Sequence, residues 1–314
     1  MSRGTILYIA QRLILIALTA LVVSSIVFIG VHQLPGSAFL TEHRSNANAE
    51  AALLHHYGLD RPWPQQYVSW LGGVLHGDLG ESLVVRGEAL TPLLLREAKT
   101  SVTLGLWALV FTVGLGMTLG VVAAVRQNSW VDYAAMTTAV FGYSMPSFVV
   151  ATLLILLTVT GFYKWTGGAF YENIGWGLPE QIPVPAIALG LLPAAQIARL
   201  TRASMLEVIR QDYVRTAWAK GLKARVVIIR HALRNALIPV VTILGPLTTA
   251  IITGSVVIEN IFGIPGLGKE FVTSIFQRDY NVVIGVFTFY AALVGLANLI
   301  VDLIYPILDP RIRY

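Results

Sequence analysis

Six long stretches without a charged side chain constrain the fold of this chain more than any other feature of its sequence. A helix needs about 17 to 25 mostly apolar residues to cross a bilayer. Because lipid offers backbone groups no hydrogen-bond partner, such stretches must cross as helices rather than as strands or loops. The sequence therefore predicts an all-α polytopic membrane protein with six transmembrane helices. The stretches that contain no Asp, Glu, Lys or Arg are residues 13–41, 100–125, 133–163, 181–198, 235–258 and 280–301.

The composition agrees with a membrane-embedded chain. Only 12% of its 314 residues are charged, whereas about 25% are charged in a typical soluble domain. We treat residues 1–314 as a single transmembrane domain, with residues 32–101 as one long loop between helices 1 and 2. The chain has no cysteine, which excludes disulfides, thiolate metal ligands and cysteine nucleophiles. The predicted helices cover approximately residues 9–31, 103–125, 137–160, 184–200, 236–258 and 281–303.

Basic residues are distributed unevenly between the two sides of the predicted helices. The N-terminus, the loop 126–132, the stretch 199–234 and the tail after residue 301 together hold 14 Lys and Arg against 5 Asp and Glu. The remaining segments hold 8 against 12. Since cytoplasmic loops carry the Lys and Arg excess, we expect both termini in the cytoplasm and residues 32–101 outside. The net charge of +5 is then a topology signal, and no nucleic-acid partner is expected.

Two of the predicted helices contain residues suited to close packing or to a solute path. In the second helix, Gly116 and Gly120 form a small-xxx-small pair, which lets helices approach closely. In the third helix, a proline removes a backbone hydrogen bond and bends the helix, and polar side chains beside it are costly in lipid. Two interpretations stay open, a packed kink with satisfied hydroxyls or a lining of the translocation path. The residues concerned are Tyr143, Ser144, Met145 and Pro146.

The segment between the fourth and fifth helices is the most informative part of the chain. Residues 199–234 hold nine of its 22 Lys and Arg. Asp212 is the expected N-cap of a short helix over Tyr213–Lys220, and Gly221 stands where a left-handed C-cap belongs. We expect the apolar face of this helix to turn outward, toward lipid or a groove on a partner. That face contains Tyr213, Val214, Ala217 and Trp218.

In this segment Arg215-Thr216-Ala217-Trp218-Ala219-Lys220-Gly221 is followed by His231-Ala232-Leu233-Arg234-Asn235 and by Pro239. The succession resembles the cytoplasmic coupling loop of ABC importer permeases, and more narrowly that of the oligopeptide and dipeptide branch. The general pattern of that loop is Glu-Ala-Ala, three residues and Gly. Here Arg215 and Thr216 replace the first two positions, a departure that this branch shares, while Ala217 and Gly221 fit.

Further motifs along the whole chain look like the first permease subunit of that branch. The resemblance implies the type I ABC importer permease fold in the bacterial cytoplasmic (inner) membrane. It also implies a heterodimer with a second homologous permease, two cytoplasmic ATPase subunits that bind ATP and Mg²⁺, and an extracytoplasmic peptide-binding protein. The motifs are Leu34-Pro35-Gly36-Ser37, Tyr57-Gly58-Leu59-Asp60 with Pro62, His76-Gly77-Asp78-Leu79-Gly80, Met145-Pro146-Ser147-Phe148, Gly254-Ser255-Val256-Val257-Ile258-Glu259 and Asp309-Pro310-Arg311-Ile312-Arg313-Tyr314.

The same resemblance implies roles for single residues. The short helix, within a cytoplasmic coupling segment 201–235, would sit in a cleft of one ATPase. Its small residue Ala217 would lie on the face turned toward that partner. The residues expected to couple the chain to the ATPase are Tyr213, Arg215, Thr216, Ala217, Ala219, Lys220, Gly221 and His231.

Two motifs suggest other chemistry but lack the necessary context. Gly263–Lys269 satisfies most of a phosphate-binding P-loop, yet Glu270 follows where a Ser or Thr is required, and no predicted strand precedes it. The resemblance implies a re-entrant or turn-helix segment of the extracytoplasmic gate region there instead. His55 and His56 have no third ligand fixed nearby in the sequence. We therefore expect no catalytic residue, no metal site and no cofactor in this chain.

Other functions remain as alternatives. The same kind of permease would also serve a dipeptide, glutathione, a nickel chelate or another small solute. A secondary transporter driven by an ion gradient would require ionisable groups near mid-membrane and usually inverted repeats. Asp302 is the only acidic residue close to the interior of a predicted span, and it lies near the cytoplasmic end. A membrane-bound enzyme would require a clustered catalytic set, which the sequence does not present.

Overall fold

The computed structural model describes residues 3–33, 54–162 and 174–308. Within these ranges the secondary structure is helical, apart from an isolated antiparallel bridge between Glu81 and Ala89. The helices are α1 (Arg3–Gln33), α2 (Trp63–Leu75), α3 (Leu90–Val125), α4 (Trp130–Ser144), α5 (Ser147–Leu156), α6 (Pro183–Ile209), α7 (Asp212–Ala219), α8 (Arg234–Ile252), α9 (Val256–Phe262), α10 (Leu267–Gln277) and α11 (Tyr280–Leu308).

Two π-helical turns interrupt this regular pattern. One, Leu157–Phe162, prolongs α5, and the other, Val227–Leu233, leads from the short helical piece Ala224–Val226 into α8. In the described part of the chain, five helices are long and apolar enough to cross a membrane. The pair formed by α4 and α5 passes the same test as one bent span. The described helices therefore agree with the six predicted spans.

The helix ends differ from those predicted from uncharged stretches. Helix α3 begins at Leu90 rather than near residue 103, and α6 continues to Ile209 rather than ending near 200. Both extensions contain charged residues. A helix can extend beyond its apolar stretch into water because its backbone hydrogen bonds are formed within the helix itself. The fifth span, predicted over 236–258, ends at Ile252, and α9 follows as a separate helix. Residues 34–53 of the predicted 32–101 loop lie outside the described residues.

The chain divides into two compact units. Among the described residues, the first unit combines 3–33 and 54–101 with 265–299, and the second combines 102–162 and 174–264 with 300–308. Helices α3 and α11 each contribute to both units. The prediction that residues 1–314 form a single domain stays a prediction.

Polar contacts fix the loop regions of the first unit. The Tyr67 hydroxyl on α2 lies 2.8 Å from the Ser24 hydroxyl and 2.7 Å from the Ser25 hydroxyl, both on α1. The buried Asp279 carboxylate accepts hydrogen bonds from the Ser82 hydroxyl at 2.5 Å and from the Leu83 amide at 3.1 Å. These bonds hold the 81–89 turn against the start of α11.

Glycines fix the packing of the second unit. A Cβ placed on Gly116 would lie 2.7 Å from the Ala194 carbonyl oxygen, and one on Gly120 would lie 2.6 Å from the Ala198 carbonyl oxygen. On the facing helix, a Cβ placed on Gly190 would lie 2.8 Å from a backbone carbonyl oxygen of α3, that of Ala108. The Gly190 carbonyl accepts a hydrogen bond from the buried Thr112 hydroxyl at 3.0 Å. The prediction that Gly116 and Gly120 permit close helix packing is confirmed.

The segment with P-loop character is a turn followed by a helix. Gly263 ends α9 with a φ of +68°, and Gly266 precedes the first residue of α10. Glu270, in the first turn of α10, is half-buried and hydrogen-bonded to the buried Glu97. Burial raises the pKa of the Glu270 carboxyl above its ordinary value of 4.5, and the negative charge of Glu88 and Asp279 raises it further.

This carboxyl pair predicts a pH-dependent stability. Because the pKa of Glu270 is raised in the folded state, the folded chain binds the proton more tightly than the unfolded chain. We expect the thermal unfolding midpoint of the purified protein to fall as the pH rises from about 5 through the folded-state pKa of Glu270. Glu270→Gln, which cannot titrate, should flatten this slope, whereas the exposed control Glu81→Gln should leave it unchanged. Equal slopes in wild type and Glu270→Gln would contradict this expectation.

Candidate coupling segment and translocation path

Helix α7 forms the centre of the candidate coupling segment. The helix begins at Asp212, so its N-cap is Gln211 and the predicted N-cap at Asp212 is wrong by one residue. The Gln211 side chain makes no capping hydrogen bond. Asp212 instead lies in the first turn, where a carboxylate is favourable beside free amide groups. Its carbonyl accepts a hydrogen bond from the Thr216 hydroxyl at 2.9 Å.

The apolar face of α7 is divided between the protein interior and solvent. Val214 and Ala217 are 0% and 4% exposed, and they pack against Val227 of the π-helical turn. Tyr213 and Trp218 are 42% and 46% exposed on either side of them. The expectation that Ala217 faces outward to a partner is therefore wrong, because the chain's own π-helical turn covers this part of the face.

The outward surface of α7 is aromatic and basic. Arg215 lies 3.6 Å from Asp212, and both side chains are solvent-exposed. The hydroxyl of Tyr213 accepts a hydrogen bond from the Asn235 side-chain amide at 2.7 Å, which fixes the direction of its ring. The exposed predicted coupling residues in and directly after α7 are Tyr213, Arg215, Thr216, Ala219, Lys220 and Gly221.

Gly221 ends this short helix in the predicted left-handed conformation. Its φ is +73°, and its amide donates to the Trp218 carbonyl at 3.0 Å. The Leu222 amide also donates back to Ala217, at 3.4 Å. Among the described residues, no atom outside its chain neighbours lies within 4 Å of a Cβ built on Gly221. Glycine is therefore favoured there by its backbone conformation.

His231 lies in the π-helical turn Val227–Leu233, which packs against α7 through Val227. Its side chain is half-buried. A π-helical turn is rare and is frequently found at functional sites. Beside it, a cavity of about 130 Å³ opens between α7 and the end of α6. The apolar residues around this cavity include Leu206, Ile209, Val214, Trp218, Val227 and Ala232.

The predicted third helix is two helices rather than one kinked helix. Helices α4 and α5 meet at an angle of 107°. The residue before a proline is restricted to extended conformations, and Met145 has φ −84° and ψ 129°. Pro146 has no amide hydrogen to donate, so α4 ends at Ser144 and a new helix begins at Ser147.

The four residues predicted for the translocation path all lie at this bend. The Ser144 hydroxyl donates to the Val140 carbonyl at 2.8 Å, as the packed-kink interpretation expects. Tyr143 is 45% exposed, and the guanidinium carbon of Arg199 on α6 lies 4.1 Å from the centre of its ring. Sequence reasoning did not connect Arg199 with this site, because the two residues are 56 positions apart.

A second arginine of α6 fixes the beginning of α4. The Arg202 guanidinium donates two hydrogen bonds of 2.6 Å to the two carboxylate oxygens of Asp132, which is 2% exposed. The Asn128 amide donates to the same carboxylate at 3.0 Å. Opposite charges at the ends of two predicted spans were the only sequence signal for this pair.

Residues 116–314 match the family model described as binding-protein-dependent transport system inner membrane component. This match covers the helical bend, the α7 segment and all the helices that follow. The chain therefore belongs to that family of membrane transport components.

Named relatives match over almost the entire chain. The dipeptide transport system permease protein DppB of Bacillus subtilis is 43% identical over 98% of this chain and 97% of its own length. DppB of Escherichia coli is 38% identical over 98% of both chains. The oligopeptide transport system permease protein OppB of Escherichia coli is 39% identical over 94% of this chain and 95% of its own.

Solved structures share the fold at lower sequence identity. A chain of the MetNI methionine ABC transporter, in an inward-facing conformation, is similar with a TM-score of 0.55 and 20% identity. The match covers 69% of this chain and 96% of that chain. A chain of an amino acid ABC transporter is similar with a TM-score of 0.51 over 71% of this chain and 95% of its own. These similarities confirm the predicted ABC importer permease fold.

Proposed function

We propose that this chain is one permease subunit of an ATP-driven importer and forms the translocation path for peptides delivered by an external binding protein. The full-length similarity to dipeptide and oligopeptide permeases supports a peptide as cargo. We place it in the bacterial inner membrane beside a second, homologous permease. Two cytoplasmic ATPase subunits, which bind ATP and Mg²⁺, supply the energy.

The geometry of α7 carries this proposal. A short helix is held from inside by Val214 and Ala217 and displays Tyr213 and Trp218 outward. Large exposed aromatic side chains next to basic residues are typical of the central contacts of protein interfaces. We propose that this outward surface docks on an ATPase subunit. Because α7 is fixed to the π-helical turn that runs into α8, movement of the ATPase would be passed to a membrane-spanning helix.

Reconstitution tests the proposed function. The chain is co-expressed with the second permease and the ATPase subunits encoded beside it, reconstituted in proteoliposomes, and supplied with its binding protein and labelled di- to pentapeptides. We expect peptide uptake that requires ATP and the binding protein, and no ATP hydrolysis by the purified chain alone. Uptake driven by an ion gradient without ATP would favour a secondary transporter. ATP-driven uptake of glutathione or a nickel chelate, but of no peptide, would identify the transported solute as another small molecule.

The proposed orientation has a separate test. Because the natural chain has no cysteine, a single introduced cysteine reports the side on which it lies. We expect Val85→Cys, in the exposed 81–89 turn, to react with a membrane-impermeant maleimide added outside intact cells. Ala224→Cys, exposed before the π-helical turn, should react only after the membrane is opened. The reverse pattern would place both termini outside the cytoplasm.

A further inference from the structure

The contact between Arg199 and Tyr143 pairs a cation of a long apolar helix with an aromatic ring rather than with a carboxylate. Among residues 3–33, 54–162 and 174–308, the structure gives Arg199 no ion pair, and its guanidinium lies over the Tyr143 ring. Its neighbour one helical turn away, Arg202, is in contrast paired with Asp132. The two arginines of α6 therefore have different electrostatic environments.

The position of Tyr143 along α4 indicates how deep this cation lies. Tyr143 is eleven residues beyond Asp132 on the same helix, about 16 Å along its axis at 1.5 Å per residue. The hydrocarbon core of a bilayer is about 30 Å thick. Arg199 itself lies three residues before Arg202 on α6, about 4.5 Å along that axis. If the Asp132–Arg202 pair lies at the membrane surface, the Arg199 guanidinium lies inside the span but nearer to that surface than to the opposite one. An unpaired cation at this depth is costly in lipid, so such residues face water-filled cavities or mark solute pathways.

The backbone at the bend supports a water-filled surrounding. Pro146 cannot donate a hydrogen bond to the Gly142 carbonyl, and Met145 is extended. Non-helical backbone at membrane depth is tolerated only where protein buries it or where it lines an aqueous cavity. Tyr143, Ser144 and Pro146 are exposed, so the described residues of this chain leave the bend uncovered.

From these observations we propose that Arg199, held by Tyr143, binds a carboxylate of the transported peptide as it passes the bend. This inference rests on the proposed function, because it requires that peptides pass along this surface. Arginine suits the role since its planar, always charged guanidinium offers two parallel N–H donors to a carboxylate while one face stacks on an aromatic ring. The Tyr143 ring restricts the guanidinium without neutralising it, which leaves its donors for a passing anion.

Transport of paired peptides tests the proposal. A peptide with a free C-terminal carboxylate is compared with its C-terminal amide, chosen so that the binding protein holds both forms equally well. In proteoliposomes containing the complete transporter, we expect Arg199→Gln to lower uptake of the free acid about tenfold, the usual effect of losing a charge-assisted hydrogen bond. Uptake of the amide should change less than about twofold. Arg199→Lys keeps the charge but loses the two parallel N–H donors of the guanidinium. Its uptake of the free acid should lie between the rates of Arg199→Gln and the wild type.

The chain offers a matched control for the substitution. Arg12 also lies over a tyrosine ring, that of Tyr8, with 5.2 Å between its guanidinium carbon and the ring centre. Its Nε also donates a hydrogen bond to the hydroxyl of the same tyrosine at 2.9 Å. Arg12→Gln therefore removes an arginine charge from another tyrosine contact, near the N-terminus. We expect it to leave the ratio of acid to amide uptake unchanged.

Chemical protection gives a second measurement that does not depend on the binding protein. The detergent-purified transporter is treated with phenylglyoxal, an arginine reagent, and modification of Arg199 is followed by mass spectrometry. The free-acid peptide at millimolar concentration should slow this modification, and the amide should not. Equal losses of acid and amide uptake in Arg199→Gln, or equal protection by both peptides, would overturn the proposal and assign Arg199 a structural role. Failure of the wild-type complex to import either peptide would overturn the proposed function itself.

Discussion

The double substitution Gly116→Ala/Gly120→Ala is expected to prevent the chain from reaching its folded form. Each new Cβ would lie 2.6 to 2.7 Å from a carbonyl oxygen of α6, far inside the normal contact distance. The obstructing atoms include these carbonyl oxygens and the Cβ atoms of Ile197 and Thr201, none of which moves when a side chain rotates. Overpacking usually costs about 1 to 3 kcal/mol per site, and two sites on one interface should act together. We expect little monodisperse protein after detergent extraction and size-exclusion chromatography.

Gly114 provides the control for this prediction on the same helix. In the described part of the chain, no atom of another helix lies within 4 Å of a Cβ built there. Alanine is also more favourable than glycine in a helix by about 1 kcal/mol. Gly114→Ala should therefore match or exceed the yield and thermal unfolding midpoint of the wild type. The same replacement, glycine by alanine, is therefore expected to lower the stability at Gly116 and Gly120 and to raise or preserve it at Gly114. A double variant as stable as Gly114→Ala would mean that α3 and α6 are not packed at these glycines.

The second large effect is expected from Ala217→Arg in the candidate coupling segment. Ala217 is 4% exposed against Val227, and arginine cannot fit there without separating α7 from the π-helical turn. No acidic side chain of that cluster would pair with the introduced charge, and such burial costs several kcal/mol. We expect ATP-dependent peptide uptake to fall more than tenfold, while membrane insertion continues because its signal lies in the spans. Uptake and co-purified ATPase are measured in the same vesicles.

Ala224→Arg serves as the control, since Ala224 is an exposed residue outside α7. It introduces the same side chain seven residues later, and uptake should remain near the wild-type rate. Gly221→Asp should have an intermediate effect. The left-handed conformation costs a residue with a Cβ about 1 to 2 kcal/mol, but the space around Gly221 is open. Near wild-type transport by Ala217→Arg would mean that α7 does not link the ATPase to the membrane helices.

Several features were predictable because they depend only on local sequence. The spans follow from the absence of charge over long stretches, and the end of α7 at Gly221 follows from the conformational freedom of glycine. The break before Ser147 was predicted only as a kink. A proline guarantees an interruption of the helix, but whether the chain bends slightly or by 107° depends on what packs against each half.

The orientation of side chains was not predictable in the same way. A helical pattern places Tyr213, Val214, Ala217 and Trp218 on one face, and this arrangement was correct. Which part of that face the chain itself covers depends on Val227, whose neighbouring residues form a π-helical turn. For this reason the inward position of Ala217 could be seen only in the structure.

By itself, the sequence determined an all-helical membrane protein, the approximate position of its spans and the short helix between the fourth and fifth of them. These properties depend on the transfer of side chains between water and lipid and on backbone preferences over a few residues. Only the tertiary structure decided which glycines are in contact, how Asp132 pairs with Arg202, and where the guanidinium of Arg199 lies. Those contacts join residues that are distant in the chain, and their distances are set by the packing of whole helices. Local pattern contains no information about that packing, because the same pattern is compatible with many arrangements of helices.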